Sequence, residues 1–284
     1  MRIRPSLFVF ALAGLVLLTS CSNSRRLTHS SPEQAFQKGM ENFEEENWDQ
    51  AMRYFRAVFQ YGRGNDWADD AQYRLAEAYR EQGRYLLAAN EFQRFTELYR
   101  TNQRVPQATY QRARMYYELS PHYKLDQTNS REAISLFQLF IERYPNHELV
   151  PDAQDRVAEL RNKLAHKKFA AGQLYEQRDM WEAAAETYEG LFDTYPDTDW
   201  ADDALLGAMR SYVAYADASI QNKQAERYQL AIDNYNRLAQ LFPDSPLLNR
   251  AEDLYAEAQS KLEREQRQQA QQEQQSLASD DGSS

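Results

Sequence analysis

The sequence predicts an all-α chain, a superhelix of about five helix-hairpin repeats closed by a C-terminal capping helix. Three observations predict it. The composition is a helical palette, with nine Gly and nine Pro among 284 residues against many Ala, Leu, Gln, Glu and Arg. An alanine followed four residues later by an aromatic recurs along the chain, at Ala51/Phe55, Ala88/Phe92, Ala133/Phe137, Ala184/Tyr188 and Ala231/Tyr235. Prolines stand at a fixed distance after the last three alanines, at Pro145, Pro196 and Pro243, where they end a helix.

Each element follows from these marks. Trp48, Tyr85, Ser130, Trp181 and Tyr228 lie three residues before the alanines, where the second helix of each pair should open. Arg63 and Arg100 replace the proline in the first two repeats. Gly39, Ala76 and Gly172 precede their alanines by one constant interval and would let paired helices approach closely. The pattern resembles the tetratricopeptide (TPR) helix pair, whose 34-residue period is shorter than every interval here. The excess is expected at 61–67, 120–130, 151–177 and 217–226. For 151–177 the sequence predicts one long helix, opened by Pro151-Asp152 and striped by Val150, Ala153, Val157, Leu160 and Leu164. At 1.5 Å per residue it would reach about 40 Å and bridge two halves of the array. The halves are 32–145 (repeats one to three) and 146–262 (repeats four, five and the cap from Pro246 to Leu262). The Gln-rich residues 263–284 are expected to be disordered.

The N-terminus reads as an address. Arg2 and Arg4 precede an apolar run from Leu7 to Leu18, which is too short for the roughly 20 residues of a membrane-spanning helix. Leu18-Thr19-Ser20-Cys21 resembles the lipobox of bacterial lipoproteins. That resemblance makes residues 1–20 a signal peptide and Cys21 an acylated first residue carrying S-diacylglycerol and an N-acyl chain. Two or more chains hold a protein stably on a bilayer. Ser22 after the cysteine is, by the same resemblance, compatible with the outer membrane, and 21–31 would form a short flexible tether.

Asp126-Gln127-Thr128, the run Ala158-Glu159-Leu160-Arg161-Asn162-Lys163-Leu164-Ala165, the lipobox and the repeats together resemble the BamD family, TPR lipoproteins of the outer-membrane β-barrel assembly machinery. A plainer reading of the loop is that Asp126, Thr128, Asn129 and Ser130 supply turns and a helix cap. The resemblance implies a non-enzymatic scaffold on the periplasmic face of the outer membrane. It implies docking to a BamA-type insertase through the C-terminal repeats, partnership with the other assembly-complex lipoproteins, and help in receiving unfolded barrel precursors. The other readings are another periplasmic TPR lipoprotein, such as a secretin pilotin or an envelope-division coordinator, and a cell-wall enzyme. The insertion near Asp217 and the Gln-rich extension depart from the family.

Aligning the first helices puts Phe36, Tyr73, Tyr110 and Phe169 in register. With Met40, Glu77 and Arg114 they are candidates for a groove holding an extended segment that ends in an aromatic residue, Arg114 pairing with its carboxylate. The competing expectation is that the rings fill space between helices.

Other chemistry finds no pattern. A net charge of -10 without a basic cluster argues against nucleic acid. The one cysteine excludes an internal disulfide. His29, His122, His147 and His166 have no metal-ligand spacing and are expected at the surface, so no metal and no cofactor beyond the Cys21 lipid is expected. Glu44-Glu45-Glu46, Asp69-Asp70 and Asp202-Asp203 read as solvated faces or helix starts. No catalytic residue is found.

Overall fold

The computed structural model describes residues 27–281, and among them only helices and turns occur. The helices are α1 (Pro32–Glu44), α2 (Trp48–Val58) with a 3-10 turn at Phe59–Tyr61, α3 (Ala68–Glu81), α4 (Tyr85–Leu98), α5 (Val105–Glu118), α6 (Thr128–Arg143), α7 (Val150–Glu176), α8 (Trp181–Thr194), α9 (Ala201–Asp217), α10 (Gln221–Leu241) and α11 (Leu248–Asp281). In chain order α1/α2, α3/α4, α5/α6, α7/α8 and α9/α10 are the five pairs. The fold is all-α and built of TPR-type helix pairs. The described residues divide into two compact units, those up to Gln82 and those from Gly83 onward.

Local chemistry sets the boundaries. Ser31 caps α1, its hydroxyl accepting from the Gln34 amide, and Pro32 opens the helix. Prolines likewise sit in the first turns of α5 and α7. Asp69-Asp70 and Asp202-Asp203 lie in the first turns of α3 and α9, where the helix dipole favours negative charge. The second helices from α4 onward end on an aromatic residue, Tyr99, Tyr144, Tyr195 or Phe242, whose backbone amide donates to the carbonyl four residues earlier.

In the first unit α2 packs against α1 and α3. Gly39 lies under the Phe55 ring, and a Cβ there would stand 2.6 Å from it. Phe55 is fully buried, which is worth about 2–3 kcal/mol for a side chain of this size.

In the second unit each helix packs on the next, and α11 covers both α9 and α10. Among the described residues, buried clusters lie along this unit, the second and third both drawing on α8 to α11. Tyr110, Phe137, Phe140 and Leu160 centre the first. Phe169, Tyr188, Leu191, Tyr212 and Tyr228 centre the second. Phe192, Leu205, Met209, Leu238 and Ala251 centre the third. Tyr188 is fully buried in the space left by two glycines, since a Cβ on Gly172 would lie 2.5 Å and one on Gly207 2.9 Å from its ring.

The long helix forms where expected, 27 residues from Val150 to Glu176. The excess at 217–226 is mostly helix, because α10 begins at Gln221 and only 218–220 form the turn. One segment, the Gln-rich tail, differs from expectation. The Gln-rich segment continues α11 to Asp281 instead of losing structure after Leu262. Gln, Glu, Arg and Ala are good helix formers, so a helix nucleated on the buried residues Ala251, Ala258 and Leu262 propagates through them.

Candidate functional site

The candidate groove residues are placed as follows. In the first unit Phe36 is half-buried against Phe55 (ring centroids 5.8 Å apart) and Trp67 (5.2 Å). Met40 is half-buried and Tyr73 is buried. Glu77 pairs with Arg74 at 2.7 Å on its own helix. In the second unit Tyr110 is buried between Phe137 (5.7 Å) and Phe140 (5.6 Å), and its hydroxyl donates to Asp152. Burial and that carboxylate push the Tyr110 phenol up to about 12. Arg114 is exposed and pairs with Glu118 at 3.5 Å. Phe169 is buried against Tyr188 (5.3 Å) and Trp200 (5.0 Å). Tyr73, Tyr110 and Phe169 thus fill space inside the packing, and a ligand has access chiefly to Arg114 and the rims around it. Cys21 lies outside the described residues.

The Asp126-Gln127-Thr128 loop is a braced turn. The buried Gln127 amide donates to the carbonyls of His122 (2.9 Å) and Leu125 (3.1 Å), and its oxygen accepts from the Ser130 hydroxyl (2.7 Å). Asp126 accepts from the backbone amide of Thr128 at 2.9 Å, which closes a turn just before α6, whose N-cap residue is Gln127. Its hydrogen bonds with Thr128 hold the Asp126 carboxyl below the usual carboxylate range. Asn129 donates to Leu119 O, and the Ser120 and Ser130 hydroxyls share a 2.7 Å bond.

Helix α7 reaches this loop and the following turn from one short run. Leu160 and Leu164 are buried in the cores. Lys163 donates to the Ser120 hydroxyl (2.8 Å), and Lys167, one turn on, to Leu125 O (2.6 Å). Arg161 and Asn162 point the other way. Arg161 donates to Asp197 (2.9 Å) and to Thr194 O (3.1 Å), and lies over the Tyr195 ring. Asn162 donates to Asp199 and accepts from the Asp199 amide (3.1 Å). Nearer the start of α7, Arg156 lies over the Tyr117 ring and donates to its hydroxyl (2.9 Å), which donates to Glu159 (2.6 Å). The loop after α5 and the turn before α9 are therefore held by a single helix.

Between these two sets of contacts lies a stack that sequence reasoning missed. His166 stands between Tyr123 (3.9 Å) and Trp200 (4.3 Å, interplanar angle 5°), with Phe169 behind Trp200. Burial, followed by the charges of His122 and Lys124, holds the His166 imidazole below its usual range, so the ring is neutral at pH 7. His166 is half-buried, as are His29 and His147, and its stacking between two rings is what the surface expectation did not include. A signal for the tryptophan was present: Asp66-Trp67-Ala68-Asp69-Asp70-Ala71 recurs as Asp199-Trp200-Ala201-Asp202-Asp203-Ala204. In both copies the tryptophan packs on the in-register ring of the preceding first helix, Trp67 on Phe36 and Trp200 on Phe169.

These groups are hydrogen-bonded or stacked among themselves, an arrangement that fixes a shape. A family model described as outer membrane lipoprotein, YfiO, matches residues 28–224, a span that includes the braced loop, all of α7 and Trp200. The chain belongs to this family. Among the relatives similar to this YfiO-family chain, the outer membrane protein assembly factor BamD of Vibrio cholerae is 26% identical, covering 75% of this chain and 94% of its own. BamD of Haemophilus influenzae is 27% identical over 75% of this chain and 84% of its own. BamD of Caulobacter vibrioides is 23% identical over 79% and 74%. Among solved structures, a TPR repeats protein from Bacteroides fragilis aligns with 82% of this chain and 100% of its own at 16% identity and a TM-score of 0.45. The YfiO match ends inside α10, so α11 lies beyond it.

Proposed function

We propose that this protein is a lipid-anchored, non-enzymatic scaffold of the outer-membrane β-barrel assembly machinery, facing the periplasm. It docks to a BamA-type insertase through its C-terminal repeats, sits with the other assembly lipoproteins and helps receive unfolded barrel precursors. The observation that carries this reading is the family match over 28–224, which contains two of the features used for the resemblance, the braced loop and α7. The helix pairs support it physically. Within each unit, hairpins packed on their neighbours present a surface that suits docking more than bond-making.

Purification of the protein from outer membranes in mild detergent tests the reading. A large β-barrel insertase should co-purify, and recovery of a secretin in its place would refute it. Arg114 is the cleaner probe of precursor binding, because alanine at buried Tyr73 or Tyr110 would lower stability as well. Arg114→Glu should weaken binding of peptides ending in an aromatic residue and carboxylate by about tenfold, with the melting temperature unchanged. Equal affinity in fluorescence anisotropy would remove Arg114 from the groove.

A further inference from the structure

The start of the described chain is tied down. Lys38 donates to the carbonyl (2.6 Å) and hydroxyl (2.9 Å) of Thr28. His29 and the Tyr61 hydroxyl share a 2.9 Å hydrogen bond, with the rings edge-on at 5.7 Å. The chain therefore leaves the first unit at a fixed place, beside the 3-10 turn that ends α2. Between Cys21 and Thr28 lie only Ser22-Asn23-Ser24-Arg25-Arg26-Leu27. Even fully extended, that link spans at most about 25 Å.

The two ends of the first hairpin differ in chemistry. Where the chain leaves, residues 59–67 expose Tyr61 and Arg63, with Phe59 and Trp67 half-buried, against one acid, Asp66, and Asp69 and Asp70 follow in the first turn of α3. Tyr61 is 40% exposed, and the Arg63 guanidinium lies over the Phe59 ring at 4.6 Å. Aromatic rings and arginine are the side chains that settle at a membrane–water interface, the rings at headgroup depth and the arginine with its stem in apolar surroundings and its charge outward. Arg25 and Arg26 in the link add attraction to anionic headgroups. The far end, about 20 Å away along α1, carries Glu44, Glu45 and Glu46, which such a surface repels.

We propose that the end of the first hairpin formed by His29, Tyr61 and residues 62–67 rests on the phospholipid headgroups of the membrane that holds Cys21. The proposal rests on the reading of Cys21 as acylated. A short link, a fixed exit and an interfacial side-chain set act together, so the first hairpin stands on the membrane with its acidic end outward.

The test uses the acylated protein, whose one cysteine is consumed by lipid, so that an introduced cysteine takes a label alone. Gly64→Cys is suitable because a Cβ there meets nothing within 4 Å, and Glu45→Cys is the control at the acidic end. Each fluorescent variant is placed in phosphatidylethanolamine–phosphatidylglycerol vesicles with brominated acyl chains. Quenching at position 64 should exceed that at 45 by about threefold or more, and Arg63→Glu should lower it. Equal quenching at both positions with acyl chains present by mass spectrometry would overturn the lipid contact and leave the anchor intact. An unmodified Cys21 in protein recovered from cells would overturn the anchor and this proposal with it. Quenching at 64 that disappears when the other outer-membrane assembly proteins are included would assign this end to a protein partner and overturn the proposal.

Discussion

The first and fourth hairpins solve one packing problem with different chemistry. Each sets a glycine of its first helix beneath an aromatic ring of its second, Gly39 under Phe55 and Gly172 under Tyr188. Phe55 meets one glycine and carries no polar group. Tyr188 is gripped on two sides, by Gly172 and by Gly207 of the next hairpin, and its hydroxyl donates to Glu176 at 2.9 Å. Glu176 also takes two bonds from Arg210 (2.8 and 2.9 Å) and one from Ser211 (3.1 Å). The first ring packs one pair of helices, whereas the second sets the register between two pairs. A ring with a polar handle cannot give way as a free ring can.

Replacing the glycines should separate the two cases most clearly. Gly172→Ala is expected to cost about 3 kcal/mol, because Tyr188 cannot move off its anchor, and Gly39→Ala about 1 kcal/mol, because the Phe55 ring can tilt. Urea melts of the two variants check this, and equal losses would show that the anchoring of Tyr188 adds nothing. Tyr188→Phe keeps the ring and removes the handle. It should lose about 1–2 kcal/mol, since Glu176 keeps its bonds from Arg210 and Ser211.

The smallest effect is one of pH. Burial and carboxylate partners hold the phenols of Tyr188, Tyr212 and Tyr228 well above the ordinary range, and that of Tyr110 at about 12. A tyrosine in the unfolded chain ionises near pH ~10. Above that pH the unfolded chain has lost protons that the folded chain still holds. The stabilisation is thus complete below pH ~10 and is lost as pH rises through the folded values. Amide exchange in α8, α9 and α10 should quicken accordingly between pH ~10 and 12, after correction for its intrinsic pH dependence. Unchanged protection would place these hydroxyls in water.

Much of this was legible because the signals were periodic. The alanine and aromatic positions, the proline exits and the unbroken stripe of α7 recur at helix spacing, and the backbone obeys them. Gln127 was not legible as a buried brace, since in sequence it looks like any polar residue of a turn. Nor was the staple from Arg161 to Asp197, which joins residues 36 apart through tertiary packing alone. The stacking of His166 was not legible because its two partners come from separate segments, although the repeated Trp-Ala-Asp-Asp motif pointed to one of them. The tail was misjudged by giving composition more weight than helix propagation.

The two-way grip of α7 makes angular phase a constraint on the chain. Successive helical residues are turned by about 100°, so Leu160, Arg161 and Asn162 face different neighbours through rotation alone. One residue inserted after Ala158 would swing every later side chain of the helix out of alignment, turning the leucines from the core and the lysines from their loop. Variation in length is therefore tolerable in the exposed turns at either end, whereas within this helix the count of residues is itself part of the structure.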